Sequence, residues 1–171
     1  KYGFRSYVMS KLAKLWGNNK NKLLKLGLTT DDLEHYYVDS QQMLNNFIES
    51  FSEKLGNKFK ETNDLEKAFK QLTPIVEEEI KNQDLQVRGF IDAIYDTEDE
   101  VVIIDYKTSK KDDMTPEYRL QLGIYALLYK RKYNKTPSRV GINFLKFGER
   151  MIDVDQVLLD EAKTEILFVH E

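Results

Sequence analysis

Apolar and polar positions are most informative between Val87 and Lys107, which reads VRGFIDAIYDTEDEVVIIDYK. In its first half Val87, Gly89, Ile91, Ala93 and Tyr95 fall on one side of an extended chain, and Phe90, Asp92 and Ile94 on the other. The second half, Val101 to Lys107, is β-branched and too short for a helix of its own. Asp96-Thr97-Glu98-Asp99-Glu100 between them is polar and suits a hairpin loop. Two antiparallel strands are therefore expected here. The period then changes. From Glu117 to Tyr133, after Pro116, Leu120, Ile124, Leu127 and Leu128 recur at helical spacing and predict an amphipathic helix.

The remaining elements are read the same way. Lys1 to Leu26 predicts a helix, a break at Gly17-Asn18-Asn19 and a second short helical piece. Thr29-Thr30-Asp31-Asp32 is a helix start, with hydroxyls to cap and carboxylates on the positive end of the dipole. The helix it opens is expected to reach about Lys54, with Leu33, Tyr36, Tyr37, Met43, Leu44, Phe47, Ile48 and Phe51 facing inward. Asn63-Asp64-Leu65-Glu66 starts a shorter helix that stops before Pro74. Ile75 to Ile80 is a strand feeding the central hairpin, and Val140, Ile142 and Phe144 alternate as another. Phe147-Gly148-Glu149 forms a turn, Met151 to Val154 a strand, and Asp155 caps a helix to about Phe168.

Candidate chemistry sits where the hairpin ends. Asp105 and Lys107 are two apart and so project from one face, and Asp92 on the neighbouring strand reaches the same end. A charge there is costly to bury unless it is paired or holds a metal. Spacing alone leaves two readings, a carboxylate–lysine ion pair and a divalent-metal site with a lysine beside it. On the following helix Gln121 and Tyr125 are four apart and stack on one face.

Together, Gly89-x-x-Asp92, Asp105-Tyr106-Lys107-Thr108 and Gln121-x-x-x-Tyr125 resemble the RecB-like branch of the PD-(D/E)xK nuclease superfamily, over roughly residues 77–147. The resemblance implies an α/β fold with a restriction-endonuclease-like core: a small mixed central sheet flanked by helices. It gives one nuclease-like domain over 1–171, with a helical roof over 1–73 and the sheet core over 74–171, expected to be part of a longer chain. The implied activity is hydrolysis of phosphodiester bonds by a Mg²⁺- or Mn²⁺-dependent deoxyribonuclease. An exonuclease in recombination, repair or mobile-element DNA processing is expected, with DNA as substrate and a helicase or another recombination or replication protein as partner.

The resemblance also distributes roles. Asp92 and Asp105 would hold the metal, with the backbone carbonyl of Tyr106 as a third ligand. Lys107 would position the attacking water or stabilise charge. Gln121 and Tyr125 would orient the metal's surroundings or hold the substrate backbone. Lys110 and Lys111 would bind phosphate or merely stand in a solvated loop. Glu77 matches the acidic residue that many members carry ahead of Gly-x-x-Asp, or is an edge-strand charge that discourages pairing. The branch usually adds a histidine ligand in a Gly-x-x-x-His context, and the two histidines here, His35 and His170, both lack that context. His35 is the second candidate for the extra ligand, beside Glu77. This departure keeps a catalytically degenerate nucleic-acid-binding or scaffold domain of the same fold as the alternative.

Composition narrows the picture further. At 171 residues with 41% hydrophobic content the chain is long enough to bury a core. A net charge of −3 excludes bulk-charge packaging of nucleic acid and leaves a local basic surface open. The Lys-rich stretch from Lys1 to Leu26 either tracks a phosphate backbone or is a solvated helix face. With no cysteine, the cysteine-bound iron–sulfur cluster that some RecB-like nucleases carry is excluded for this chain. No apolar run reaches membrane-spanning length, and a cytoplasmic, nucleoid-associated setting is expected.

Overall fold

A computed structural model describes residues 2–170, without the side chains of Tyr2 and His170. Its elements run α1 (Tyr2–Lys25), α2 (Thr30–Thr62), α3 (Leu65–Gln71), β1 (Ile75–Asn82), β2 (Val87–Asp96), β3 (Val101–Lys107), α4 (Pro116–Tyr133), β4 (Arg139–Phe144), β5 (Gly148–Asp153) and α5 (Gln156–His170). The chain divides into two compact units, residues 1–61 and 62–171. Helix α3 belongs to the second unit, with the sheet.

The first unit is a helical hairpin. Phe4 meets Phe51 with ring centroids 5.8 Å apart and Trp16 meets Tyr37 at 5.2 Å, so α1 and α2 run antiparallel. Such aromatic pairs add about 0.5–1.5 kcal/mol each beyond their area. Three expectations are corrected here. The break at Gly17-Asn18-Asn19 does not occur: α1 is continuous, and Asn19 Nδ2 donates to the Leu15 carbonyl at 2.8 Å. A helical glycine costs about 1 kcal/mol, and the half-buried row Leu12, Trp16 and Leu23 runs straight past it. Likewise α2 passes Lys54 and Gly56 and stops at Thr62, where Asn63 takes a left-handed φ of +51°. On its inward face Leu33 and Ile48 are buried, whereas Tyr36 is exposed and lies against His35.

In the second unit the sheet order is β1-β2-β3-β4-β5. The first three strands form an antiparallel meander, α4 carries the chain across so that β4 lies parallel to β3, and β5 returns antiparallel. Capping explains the helix ends. Thr115 accepts from the Tyr118 N–H with Pro116 at the first helical position, and Asn134 ends α4 in the left-handed region. Asp155 Oδ1 accepts from Leu158 N at 2.8 Å at the start of α5. One apolar core joins Ile91, Ile94, Ile103 and Ile142 of the sheet to Leu122 and Leu128 of α4 and Leu158 of α5.

Candidate active site

The two ladders of β2 define where the site opens. With β1 it pairs from Val87 to Ile94, but with β3 only from Ala93↔Ile104 to Asp96↔Val101. Toward Asp92, then, β2 stays with β1 and leaves β3. The next step of the register would set Asp92 opposite Asp105, and at that step Asp92 Oδ2 accepts the backbone N–H of Tyr106 at 2.8 Å. A carboxylate thus takes a backbone donor just where the ladder has run out. This locks Asp92 beside the Asp105–Tyr106 backbone.

Asp105 is the one buried charged side chain among the described residues, 3% exposed. Its Oδ1 accepts from Gln121 Nε2 at 3.1 Å, and Lys107 Nζ lies 2.6 Å from Oδ2. That ion pair is close but poorly aligned as a hydrogen bond, and it is the polar contact that Oδ2 makes. Burial pushes the Asp105 carboxyl above the ordinary range, against the pull of Lys107, with Asp92 adding to the rise. Burial draws Lys107 down, but its pairing with Asp105 outweighs this and leaves the ammonium raised.

From α4, Gln121 Nε2 also donates to Tyr125 OH at 2.8 Å, so one amide ties the helix to the buried carboxylate. Burial raises the Tyr125 hydroxyl. Gly89 lies against α4 beside Tyr125, where a side chain would crowd Leu128. A Cβ there would stand 3.1 Å from Leu128 Cδ1 and 3.4 Å from Tyr125 Cε1. Sequence reasoning missed Tyr118, whose ring lies under Lys107 Nζ at 5.5 Å. Helical spacing held the signal, since Tyr118, Gln121 and Tyr125 step by three and four along one face.

The other candidates are placed differently. Glu77 lies between the pairs Val76↔Ala93 and Glu78↔Ile91, at the register position of Asp92, exposed and with φ +52°. His35 belongs to the helical unit, where Nε2 is 3.7 Å from Asp39 Oδ2. Lys110 and Lys111 are exposed in the loop between β3 and α4. Among the described residues no three His, Cys, Asp or Glu side chains come together to hold a metal. The donors that do meet, two carboxylates beside a strand backbone, are hard oxygens. The buried Oδ2 of Asp105, paired with Lys107 but without an aligned hydrogen bond, fits a hard cation that keeps several of its waters.

Sheet, crossover helix and the Asp–Asp–Lys cluster at the split define an α/β protein of a known nuclease type. Residues 12–166 match the model of the PD-(D/E)XK nuclease superfamily, and the chain belongs to it. A stretch of 73 residues is 36% identical to an ATP-dependent helicase/nuclease subunit of Ligilactobacillus salivarius (strain UCC118), covering 41% of this chain and 6% of that protein. The protein of the same name from Streptococcus sanguinis (strain SK36) is 29% identical over 99 residues, 56% of this chain and 8% of that protein. The chain thus spans under a tenth of these relatives. A solved structure from Eubacterium rectale, provisionally named an exonuclease, covers 92% of this chain and 64% of its own at 14% identity and a TM-score of 0.41. The RecB-like motifs agree with the family. No described helix is long and apolar enough to cross a membrane.

Proposed function

We propose that this domain is a Mg²⁺- or Mn²⁺-dependent deoxyribonuclease, acting as an exonuclease on DNA in recombination or repair. The observation that carries the reading is Asp105: a buried carboxylate whose Oδ2 is met by the Lys107 ammonium without an aligned hydrogen bond, beside Asp92. Asp92, Asp105 and the Tyr106 carbonyl would hold the cation. When bound, such a cation offsets charge on the phosphodiester and acidifies water.

The chain's own residues do the rest. Lys107 sets a fixed positive charge, shielded by Tyr118, against the charge that grows on the phosphoryl oxygens. Gln121 holds Asp105 in one orientation, and its bond to Tyr125 fixes the amide. The Tyr106 N–H does the same for Asp92. Asp105, raised by burial, is costly to ionise alone and gains most from a cation. The relatives named as helicase/nuclease subunits support a helicase as partner.

The deciding experiment is cleavage of end-labelled linear single- and double-stranded DNA and of a closed circle. Mg²⁺, Mn²⁺ and EDTA are compared, with Asp105→Ala and Lys107→Ala alongside. Metal-dependent loss of the linear forms alone, abolished by both substitutions, is expected. One observation favours a second reading, a binding domain that does not cleave: no third side-chain ligand joins the two carboxylates among the described residues. Retained DNA binding without cleavage under any metal would establish it.

A further inference from the structure

Charge is distributed very unevenly along this chain. All 29 acidic residues follow residue 30, while seven of the 26 Lys and Arg precede it. Helix α1 therefore has no carboxylate to place beside any of its cations. Tyr7, Lys11, Lys14, Asn18, Lys22 and Lys25 advance in steps of three and four residues, so they form one stripe along the helix, and all six are exposed. From Tyr7 to Lys25 the stripe is about 27 Å long. Lys11 Nζ stands over the Tyr7 ring at 5.3 Å, and none of the four lysines makes an ion pair among the described residues.

Such a stripe carries a standing cost. Lys11 and Lys14, like Lys22 and Lys25, are like charges three apart, which weakens a helix. The last pair complements the helix dipole, but Lys11 and Lys14 lie mid-helix and have no such compensation. A partner with regularly spaced negative charge relieves the repulsion and releases its own counterions.

The packed side of α1 decides which polyanion. Val8, Met9, Leu12, Trp16 and Leu23 are half-buried away from the lysines, and Trp16 is engaged with Tyr37. A membrane-surface helix needs that apolar side free to enter lipid. Here it is occupied.

We infer that the Lys11–Lys14–Lys22–Lys25 stripe of α1 binds the phosphate backbone of nucleic acid, independently of base sequence. This deepens the nuclease reading by naming a surface that holds the substrate, and it rests on that reading. The contact is made by lysine ammoniums on a rigid helix. It carries affinity and salt dependence and no base discrimination.

The test measures binding apart from cleavage. Fluorescence anisotropy of labelled single-stranded and duplex DNA is followed in EDTA across a salt series. The wild-type chain is compared with Lys11→Gln/Lys14→Gln/Lys22→Gln/Lys25→Gln and with a charge-matched control, Lys60→Gln/Lys67→Gln/Lys70→Gln/Lys163→Gln. The stripe variant should lower the slope of log affinity against log salt by about 3, and the control should leave it near wild type. Circular dichroism checks that α1 stays helical. Equal slopes for wild type and stripe variant overturn the inference, as does an equal loss in the control. Binding to phosphatidylserine vesicles that needs the same lysines, without DNA binding, overturns it too. Cleavage by the wild type is assayed separately with Mg²⁺ and Mn²⁺. Cleavage with an unchanged slope defeats only the stripe, and stripe-dependent binding without cleavage defeats only the nuclease.

Discussion

Lys107 Nζ lies 2.6 Å from Asp105 Oδ2, yet that oxygen is left without an aligned donor. The pair is lopsided in burial as well, with the Asp105 side chain 4% exposed and that of Lys107 25%. Removing one partner is therefore not equivalent to removing the other.

Lys107→Ala leaves a buried carboxylate with only Gln121 to satisfy it, whereas Asp105→Asn leaves an ammonium that water reaches. We expect Lys107→Ala to cost about 1–3 kcal/mol, below the usual 3–5 for breaking a buried pair because Lys107 is partly solvated. Asp105→Asn should stay within about 1 kcal/mol of wild type. The sign with pH follows from the raised Asp105 carboxyl. Between about pH 4 and that raised value the folded chain keeps a proton the unfolded chain has released. The burial cost is thus fully present above the folded pKa and disappears as pH falls. Urea unfolding of Lys107→Ala at several pH values should show its deficit shrinking toward acid. A deficit constant with pH would mean that Asp105 is not the source.

Metal binding should appear as stability. At a hundredfold excess over its dissociation constant, Mg²⁺ or Mn²⁺ is expected to add about 2.7 kcal/mol. EDTA should remove the gain, and Asp92→Asn or Asp105→Asn should abolish it. Protons compete for the raised Asp105 carboxyl, so the gain should fade as pH drops through its folded value. Thermal melts with each cation test this without any substrate. A gain that survives both substitutions would place the cation elsewhere.

Gly89 and Gln121 make separable predictions about the same ring. Gly89→Ala sets a methyl 3.1 Å from Leu128 Cδ1, which must give by a few tenths of an ångström, and in ordinary contact with the Tyr125 ring. A stability cost of about 1–2 kcal/mol is expected. Gln121→Ala instead strips Asp105 Oδ1 of its donor and frees Tyr125 OH, costing about 1–3 kcal/mol. Gln121→Ala should reduce cleavage on the order of 10–100-fold, since it loosens what holds Asp105 without removing a carboxylate, and Gly89→Ala should cost less. Steady-state cleavage by both variants, with Tyr125→Phe beside them, tests the chain of contacts. Wild-type rates in Gln121→Ala would detach the Asp105–Gln121–Tyr125 contacts from catalysis.

The parts legible in the sequence are those with a short period. Alternation marked β2, a short β-branched run marked β3, the strand period put Asp105 with Lys107, and helical spacing put Gln121 beside Tyr125, where one amide now joins them. What depends on distant packing was not legible. The expected stripe of α4 was too narrow: Leu122, Gly123 and Ala126 are also buried, because α5 packs on that side and leaves Gly123 only 3.2 Å from Ala162 Cβ for a methyl. The parting of β2 from β3 at Asp92 is a property of two ladders, and no local pattern encodes it. Nor does sequence announce the left-handed backbone of Glu77, since a glutamate seldom adopts it. Gly17 read as a break because its local propensity is poor, and the packed row beside it overrode that.

Asp96 read only as the first residue of a turn, but it ends β2 and is a tie point. Asp96 Oδ2 accepts from Tyr129 OH at 2.8 Å and Oδ1 from Lys135 Nζ at 2.7 Å. Lys135, with help from Tyr129, holds the Asp96 carboxyl below its ordinary range despite some burial. A lowered carboxylate contributes stability above its unfolded pKa of about 3.9, and that contribution is lost as pH falls through the folded value. Asp96→Asn should therefore be less stable than wild type at neutral pH and converge with it in acid, the opposite trend from wild-type Asp105. Because Asp96 and Lys135 are more than a third exposed, their ion pair itself contributes at most about 1 kcal/mol. Tyr129 is buried, and Tyr129→Phe should cost about 1 kcal/mol for its bond to a charged acceptor. Neither change touches Asp92, Asp105, Lys107 or Gln121, so cleavage should keep its wild-type rate at temperatures where the variants are folded. Unfolding curves at neutral and acid pH, paired with that rate, separate a strand-end tie from a part of the site. A rate loss in Tyr129→Phe at full folding would make α4 beyond Tyr125 part of the catalytic surface.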